Sequence, residues 1–140
     1  WGGGSESQSL LMNGDASMAL IWSTRARLIE QDSGGDIKFI WNEGLISPGA
    51  MAVLKGNPGG KENAMKFIAA AQDPAKQLVM FEMLGQGPAN PAADALIPKD
   101  ESKYNPVDPA NAAVQTALDM GWYETNYGAA LDEYLKIISA

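Results

Sequence analysis

Apolar residues along the chain follow two patterns: short runs bounded by turn residues, and helical spacing. The first pattern is typical of strands covered on both faces of a parallel sheet. The run over 16–21 follows a turn at 13–15 and leads into a helix over 24–31, with Ser23 or Thr24 as its N-cap. Strands are therefore predicted at 16–21, 37–41 and 50–54.

The second pattern predicts helices along most of the remaining chain. Ser5 and Gln8 have the spacing of a capping box, in which each side chain satisfies a backbone amide at a helix start. Asp73 and Asp108 each precede a proline, which suits the first position of a helix. The segment 42–49 is predicted to be irregular and 121–126 to be an aromatic turn. The predicted helices span 6–12, 62–71, 75–84, 90–96, 110–120 and 127–138.

This order of elements predicts an α/β fold with few strands covered by many helices. Three strands are too few for an independent, covered parallel sheet that faces so many helices. Trp1 before three glycines also resembles a loop that runs into a helix. We therefore expect the chain to begin inside a longer protein, with further strands upstream.

Composition narrows the classes of function. With 140 residues, 46% hydrophobic and 19% charged, the chain has the composition of a soluble globular domain. The net charge of −7 argues against nucleic acid as a partner, because phosphate binding needs a basic surface. No apolar run is long enough to span a membrane.

The absence of Cys and His disfavours most catalytic chemistry. It excludes disulfides, thiol nucleophiles, Ser–His–Asp triads and most transition-metal sites. Acid–base work would fall to groups such as Asp15, Glu43 and Glu124, whose spacing does not indicate a pair. No catalytic residue, metal or cofactor is therefore expected, and the protein is predicted not to be an enzyme.

The start of the helix after the first strand is the best candidate for a binding site. Trp22 lies at the carboxyl end of that strand, where open α/β sheets bind ligands. Ser23 and Arg25 follow at a helix start, which attracts polar or anionic groups. Gly4 and Ser5 open the first helix, where glycine lets backbone amides approach a ligand. The alternatives are that Trp22 belongs to the core, that the serines are caps and that Arg25 is solvated.

The segment 11–24, read Leu-Met-Asn-Gly-Asp-Ala-Ser-Met-Ala-Leu-Ile-Trp-Ser-Thr, is similar to a stretch of bacterial extracellular solute-binding proteins. The branch is that of the spermidine/putrescine receptors of ABC importers. The similarity continues through Glu43-Gly44, 51–54, 63–68, 73–77, 85–90 and 122–134, in the family's order.

The resemblance implies a periplasmic-binding-protein type II-like fold, in which the ligand sits between two lobes joined by crossing strands. This chain matches the C-terminal half. Residues 1–44 would belong to the second lobe as helix-strand-helix-strand, and residues 45–140 would return to the first lobe as a strand followed by helices. The missing N-terminal half of the same protein, or a second copy, would complete the sheets.

The implied function is capture of a small polar organic solute for the membrane permease of an ABC importer, in the periplasm or outside the cell on a lipid anchor. In polyamine receptors a Trp and an Asp hold an ammonium group, and the matching positions here are Pro48 and Ala50. Polyamine-like, amino-acid-like and carboxylate solutes therefore all stay open. The predicted ligand-binding residues are Gly4, Ser5, Trp22, Ser23, Arg25, Glu43 and Glu124.

The alternative is an α/β interaction domain that self-assembles and has no small-molecule ligand. Exposed sheet edges and uncovered helix faces would then pair with another copy.

Overall fold

The computed structural model of the chain describes residues 2–139; the expected loop start at Trp1 lies outside the described residues, as does Ala140. Within that range, helices joined by extended segments account for most of the backbone. The helices are α1 (Gly4–Met12), α2 (Ser23–Asp32), α3 (Gly60–Ala71), α4 (Pro74–Leu84), α5 (Pro91–Asp94), α6 (Pro109–Ala112) and α7 (Met120–Ile138), with a 3₁₀ turn at Ser102–Tyr104. The strands are β1 (Leu45–Ile46) and β2 (Thr116–Ala117).

Local capping signals define the starts of α4 to α7. Asp73 accepts hydrogen bonds from two backbone amides of the first turn of α4. Asn90 caps α5, Asp108 caps α6 and Asp119 caps α7 in the same manner. Such caps each contribute about 1 kcal/mol to helix stability. The predicted start of α4 at an Asp-Pro pair is confirmed, as is its end at Gly85, which adopts the left-handed conformation.

The capping box predicted at the start of α1 is wrong. The helix begins at Gly4, with Gly3 in extended conformation as its N-cap, so Ser5 already lies inside the first turn. The Gln8 side chain donates a hydrogen bond to Asp32 instead of returning to the helix start. A box needs its hydroxyl residue at the cap, and the helix starts too early for that.

The N-cap predicted for α2 is one residue too late. The cap is Trp22, whose carbonyl oxygen accepts hydrogen bonds from the amides of Arg25 and Ala26. Ser23 and Thr24 therefore occupy the first helical positions. The helix itself is confirmed within one residue at each end.

The three predicted strands are wrong for this chain. Segments 16–21, 37–41 and 50–54 join no strand ladder among residues 2–139. The pairing that does form is parallel and aligns Leu45 with Thr116 and Ile46 with Ala117. A strand is defined by a partner for its backbone groups, and an apolar run alone does not supply one. The side chains of these segments stay largely open, with Met18 88% exposed.

Three segments near the β1–β2 pair differ from their predicted structure. The helix predicted over 110–120 ends at Ala112, because Thr116–Ala117 is drawn into the strand pair. The segment 121–126 was predicted as a turn, but Asp119 caps the amide of Trp122 and α7 runs through it. The segment predicted as irregular over 42–49 contains β1.

The core lies where α2 packs between α1 and α4. Ile29 of α2 and Phe81 of α4 are fully buried, and Tyr104 closes the same cluster. Arg27, a charged residue of α2, is buried with them. Within residues 2–139 no helix combines the length and apolar character needed to cross a membrane.

Candidate functional site

The start of α2 lies against the start of α1. Gly4 is buried there, and a Cβ on this residue would stand 2.8 Å from Arg25 Nε and 3.1 Å from two ring carbons of Trp22. A Cβ at this position would force the Arg25 and Trp22 side chains to shift, so glycine allows both to approach the backbone of α1 closely. Trp22 remains 60% exposed although its ring borders Gly4. Three of the predicted site residues, Gly4, Trp22 and Arg25, are therefore brought together.

Arg25 brings positive charge to this group. Its side chain is half-buried, and its Nη1 lies 3.5 Å from Gln8 Oε1, a long hydrogen bond to a neutral amide. Gln8 in turn donates to Asp32 Oδ2 at 3.0 Å. Arg25 forms no ion pair with any residue in the described range 2–139. A partly desolvated guanidinium next to an exposed indole can hold a carboxylate and an apolar segment side by side.

Ser5 and Ser23 flank this group through the chain. Ser5 follows Gly4 and is exposed, and its carbonyl accepts a hydrogen bond from the Ser9 hydroxyl. Ser23 follows Trp22 and is half-buried. The sequence predicted only a capping role for Gln8, yet its side chain accepts a hydrogen bond from Arg25. Only the folded arrangement of α1 beside α2 reveals that contact.

Glu43 and Glu124 lie on other elements. Glu43 is exposed and has φ 61°, a left-handed conformation that is uncommon for a residue other than glycine. Its amide donates to the carbonyl of Val114 at 2.9 Å. Glu124 is exposed on α7. Within residues 2–139 neither carboxylate forms a hydrogen bond or ion pair with Arg25, and both stay predictions.

A second arginine of α2 contacts the other side of the helix. Arg27 Nη2 lies 2.8 Å from Glu101 Oε2, and Nη1 donates to the Phe81 carbonyl at 2.9 Å. Its guanidinium carbon lies 5.3 Å from the ring centroid of Phe81 and 4.8 Å from that of Tyr104. Sequence reasoning missed Arg27, because a charged residue is normally expected on the solvated face of a helix.

Lys103 extends the same cluster to the surface. Its Nζ lies 4.4 Å from the ring centroid of Tyr104 and 3.3 Å from Glu30 Oε1. The interaction with the Tyr104 side chain raises the pKa of Lys103, desolvation lowers it, and Glu30 raises it further, so the net shift is upward. The described residues contain no group of three or more acidic side chains placed to hold a metal ion.

Comparison with known proteins identifies the family. Residues 1–116 match the family described as bacterial extracellular solute-binding protein. The chain belongs to this family. The resemblance of the sequence to bacterial extracellular solute-binding proteins is thereby confirmed.

Relatives of known name or structure agree with this membership. The chain is 31% identical over 133 residues to the gamma-aminobutyric acid-binding protein of Pseudomonas aeruginosa, a match that covers 95% of this chain and 37% of that protein. It superimposes with a TM-score of 0.80 and 29% identity on an ABC transporter substrate-binding protein from Bradyrhizobium japonicum, covering 96% of this chain and 42% of the other. It also superimposes on AgtB from A. tumefaciens, solved with agropinic acid, with a TM-score of 0.83 and 27% identity. That match covers 100% of this chain and 44% of AgtB.

These solute-binding proteins confirm the predicted fold class, α/β of the periplasmic-binding-protein type. Each is named as a binding protein, one of them as the substrate-binding protein of an ABC transporter, and this favours solute binding over the self-assembling domain. The chain spans less than half the length of each of these relatives.

Proposed function

We propose that the protein containing this chain is the solute-binding receptor of an ABC importer and that it captures a small solute bearing a carboxylate. The observation that carries the proposal is the half-buried Arg25, which has no ion-pair partner in residues 2–139 and lies beside the exposed Trp22. The neutral amide of Gln8 accepts only a long hydrogen bond from the Arg25 guanidinium. A solute carboxylate would accept shorter and stronger charge-assisted hydrogen bonds from the same guanidinium.

The choice among solute classes follows from this charge. A polyamine would bring ammonium groups toward a guanidinium, and such like-charge contact is unfavourable. Amino-acid-like and carboxylate solutes avoid the repulsion. The names of two relatives specify acids, gamma-aminobutyric acid and agropinic acid, which supports the same class for this chain.

The binding residues that we propose lie at the starts of α1 and α2, or on other elements that would close over these helix starts. Trp22 would cover the apolar part of the solute, and Arg25 would hold its carboxylate. Glu43 and Glu124 are the acidic residues we propose for an amino group, if the solute has one. The remaining members are Gly4, Ser5 and Ser23.

The arrangement of lobes is part of the proposal. Residues 1–44 would belong to the second lobe and residues 45–140 to the first, and the solute would bind between them. The chain has an open apolar groove of about 350 Å³, which would suit burial under a further part of the receptor. The groove is lined by Met51, Ala52, Val53, Ala64, Phe67 and Ile68. The missing portion of a full-length receptor would bury this groove and pair with the extended segments.

Location and partners follow from the receptor role. We propose a periplasmic or extracellular location, delivery of the solute to the membrane permease of the importer, and no enzymatic activity. Closure of the lobes on the solute would form the surface that the permease recognises.

Isothermal titration calorimetry of the full-length gene product tests the proposal. The probes are 4-aminobutanoate, its neutral amide 4-aminobutanamide, and putrescine. We expect the carboxylate to bind about tenfold more tightly than the amide, the difference of one charge-assisted hydrogen bond. Arg25→Gln should remove that preference. Lys66→Gln serves as the control, since Lys66 belongs to an exposed ion pair within α3.

Two outcomes would contradict the proposal: putrescine as the tightest probe, or no measurable heat with 4-aminobutanoate. The isolated 140-residue chain gives a further check. It should bind the acid weakly or not at all, because the cleft lacks one wall. Micromolar affinity of the isolated chain would contradict the two-lobed site.

A further inference from the structure

We propose that Arg27 is a positioning residue for solute binding, which fixes the orientation of α2 and thereby aims Arg25 at the solute carboxylate. This inference rests on the proposed function above. It concerns a residue that does not touch the solute, and it starts from the burial of a charge.

Arg27 is only 7% exposed, and burial of a guanidinium is costly unless its donors are satisfied. Glu101 neutralises the charge at 2.8 Å, and the Phe81 carbonyl accepts a second hydrogen bond at 2.9 Å. The Phe81 and Tyr104 rings contact the guanidinium through cation–π interactions. The described residues contain no buried side-chain nitrogen or oxygen that lacks a partner. The guanidinium is therefore held in one place.

The same side chain also fixes the distance between α2 and α4. A Cβ on Gly85 would stand 3.0 Å from Arg27 Cδ, so the end of α4 packs directly on the arginine stem. The Phe81 carbonyl that accepts from Arg27 also accepts from the Gly85 amide at 2.7 Å. Rotation or withdrawal of α2 would break these contacts together.

Arg25 and Arg27 act on different sides of α2. Two residues apart on a helix, they project about 200° apart around the axis. Arg25 contacts α1 through Gln8 and borders Gly4, whereas Arg27 contacts α4 and the Ser102–Tyr104 turn. A rotation of α2 that displaces Arg27 therefore moves Arg25 as well. Binding groups need placement within about 0.5 Å, so a small rotation is enough to weaken a carboxylate contact.

The test is the ratio of association constants for 4-aminobutanoate and 4-aminobutanamide, measured by titration calorimetry on the full-length gene product. Arg27→Lys keeps the charge but cannot form the two hydrogen bonds and the ring contacts of a planar guanidinium. Glu101→Gln keeps the size but removes the ion pair. We expect both variants to lower the ratio at least about threefold, in proportion to the lost alignment of Arg25.

A purely structural role predicts a different result. Lower stability alone reduces the folded fraction for both probes equally, so the melting temperature would fall and the ratio would stay constant. Glu62→Gln is the matched control, because it breaks an exposed ion pair on α3. If Arg27→Lys does not fold, Glu101→Gln decides the question, since it leaves the hydrogen bond from Arg27 to the Phe81 carbonyl in place.

The two proposals fail in distinguishable ways. A wild-type ratio near one would overturn the carboxylate site and, with it, the role of Arg27. A wild-type ratio near ten that is unchanged in both variants would overturn only the positioning role. A ratio of association constants that falls at least about threefold in both variants, and stays unchanged in Glu62→Gln, supports the positioning role of Arg27.

Discussion

Arg27 contacts both the ring and the backbone of Phe81: its guanidinium carbon lies 5.3 Å from the ring centroid, and its Nη1 donates to the carbonyl oxygen at 2.9 Å. Phe81 has no exposed surface. One aromatic residue of α4 thus serves as packing partner and hydrogen-bond acceptor for the same cation of α2. The contact between these helices depends on that pairing.

Phe81→Ala is expected to lower the free energy of unfolding by about 3–5 kcal/mol, because it leaves a cavity and exposes the buried Arg27. Urea denaturation of the full-length gene product, followed by circular dichroism, measures the change. Glu82→Ala is the control: this neighbour on α4 is exposed, and its replacement should stay within about 0.5 kcal/mol. Equal effects of the two substitutions would contradict the assigned core.

Replacement of two glycines by alanine is expected to change the stability of the protein in opposite directions. Gly85 has φ 66° and lies close to the Arg27 stem, so Gly85→Ala should destabilise the protein by about 1 kcal/mol or more. Gly128 lies inside α7, and a Cβ there would meet no atom of the described residues within 4 Å. Gly128→Ala should raise stability by about 0.5–1 kcal/mol through helix propensity. Melting temperatures of the two variants should therefore move in opposite directions.

Gly4→Ala tests the close approach of α1 to the proposed site. The added Cβ would stand 2.8 Å from Arg25 Nε, so the guanidinium must shift. Overpacking of this size costs about 1–3 kcal/mol, and we expect the association constant for 4-aminobutanoate to fall about tenfold. Gly128→Ala adds a Cβ that meets no described atom within 4 Å, Arg25 included, and should leave that constant unchanged. Unaltered binding in Gly4→Ala would place the solute elsewhere.

Lys103 predicts a pH dependence of stability. Contact with Tyr104, with a further contribution from Glu30, raises the pKa of its ammonium above the usual 10.5. The folded state therefore favours the charged form, and this stabilisation is fully present below about pH 10.5 and lost as the pH rises through the raised value. The difference in melting temperature between wild type and Lys103→Met should shrink above that pH. A difference that grows with pH would contradict the sign.

The sequence predicted the helices well where their signals are local. Asp73 and Gly85 mark both ends of α4, and the chemistry of a cap and a left-handed glycine lies within a few residues of each end. The three strands could not be predicted in the same manner, since an apolar run does not specify a pairing partner. Thr116 pairs with Leu45, which is far away in the sequence, and no local pattern of residues predicts that pairing.

The candidate site could be predicted only in part. Trp22 and Arg25 lie three residues apart at a helix start, so their proximity follows from local structure. The contact of Arg25 with Gln8 depends on the packing of α1 on α2 and is not visible in either segment alone. The burial of Arg27 could not be predicted from the sequence, because it depends on contacts with Glu101 and Phe81, which lie in distant parts of the chain.

The short parallel pair of β1 and β2 has a consequence for how the chain reaches this fold. Three backbone hydrogen bonds, from Glu43 to Val114, from Thr116 to Gly44 and from Leu118 to Ile46, close a loop of roughly seventy residues. The entropic cost of closing such a loop precedes any gain from the bonds it permits. Helices α3 and α4 can form from neighbouring residues before this closure. We therefore expect the β1–β2 ladder to form late in folding, and we expect its amide protons to exchange with solvent earlier than those of α4 when the native state opens locally.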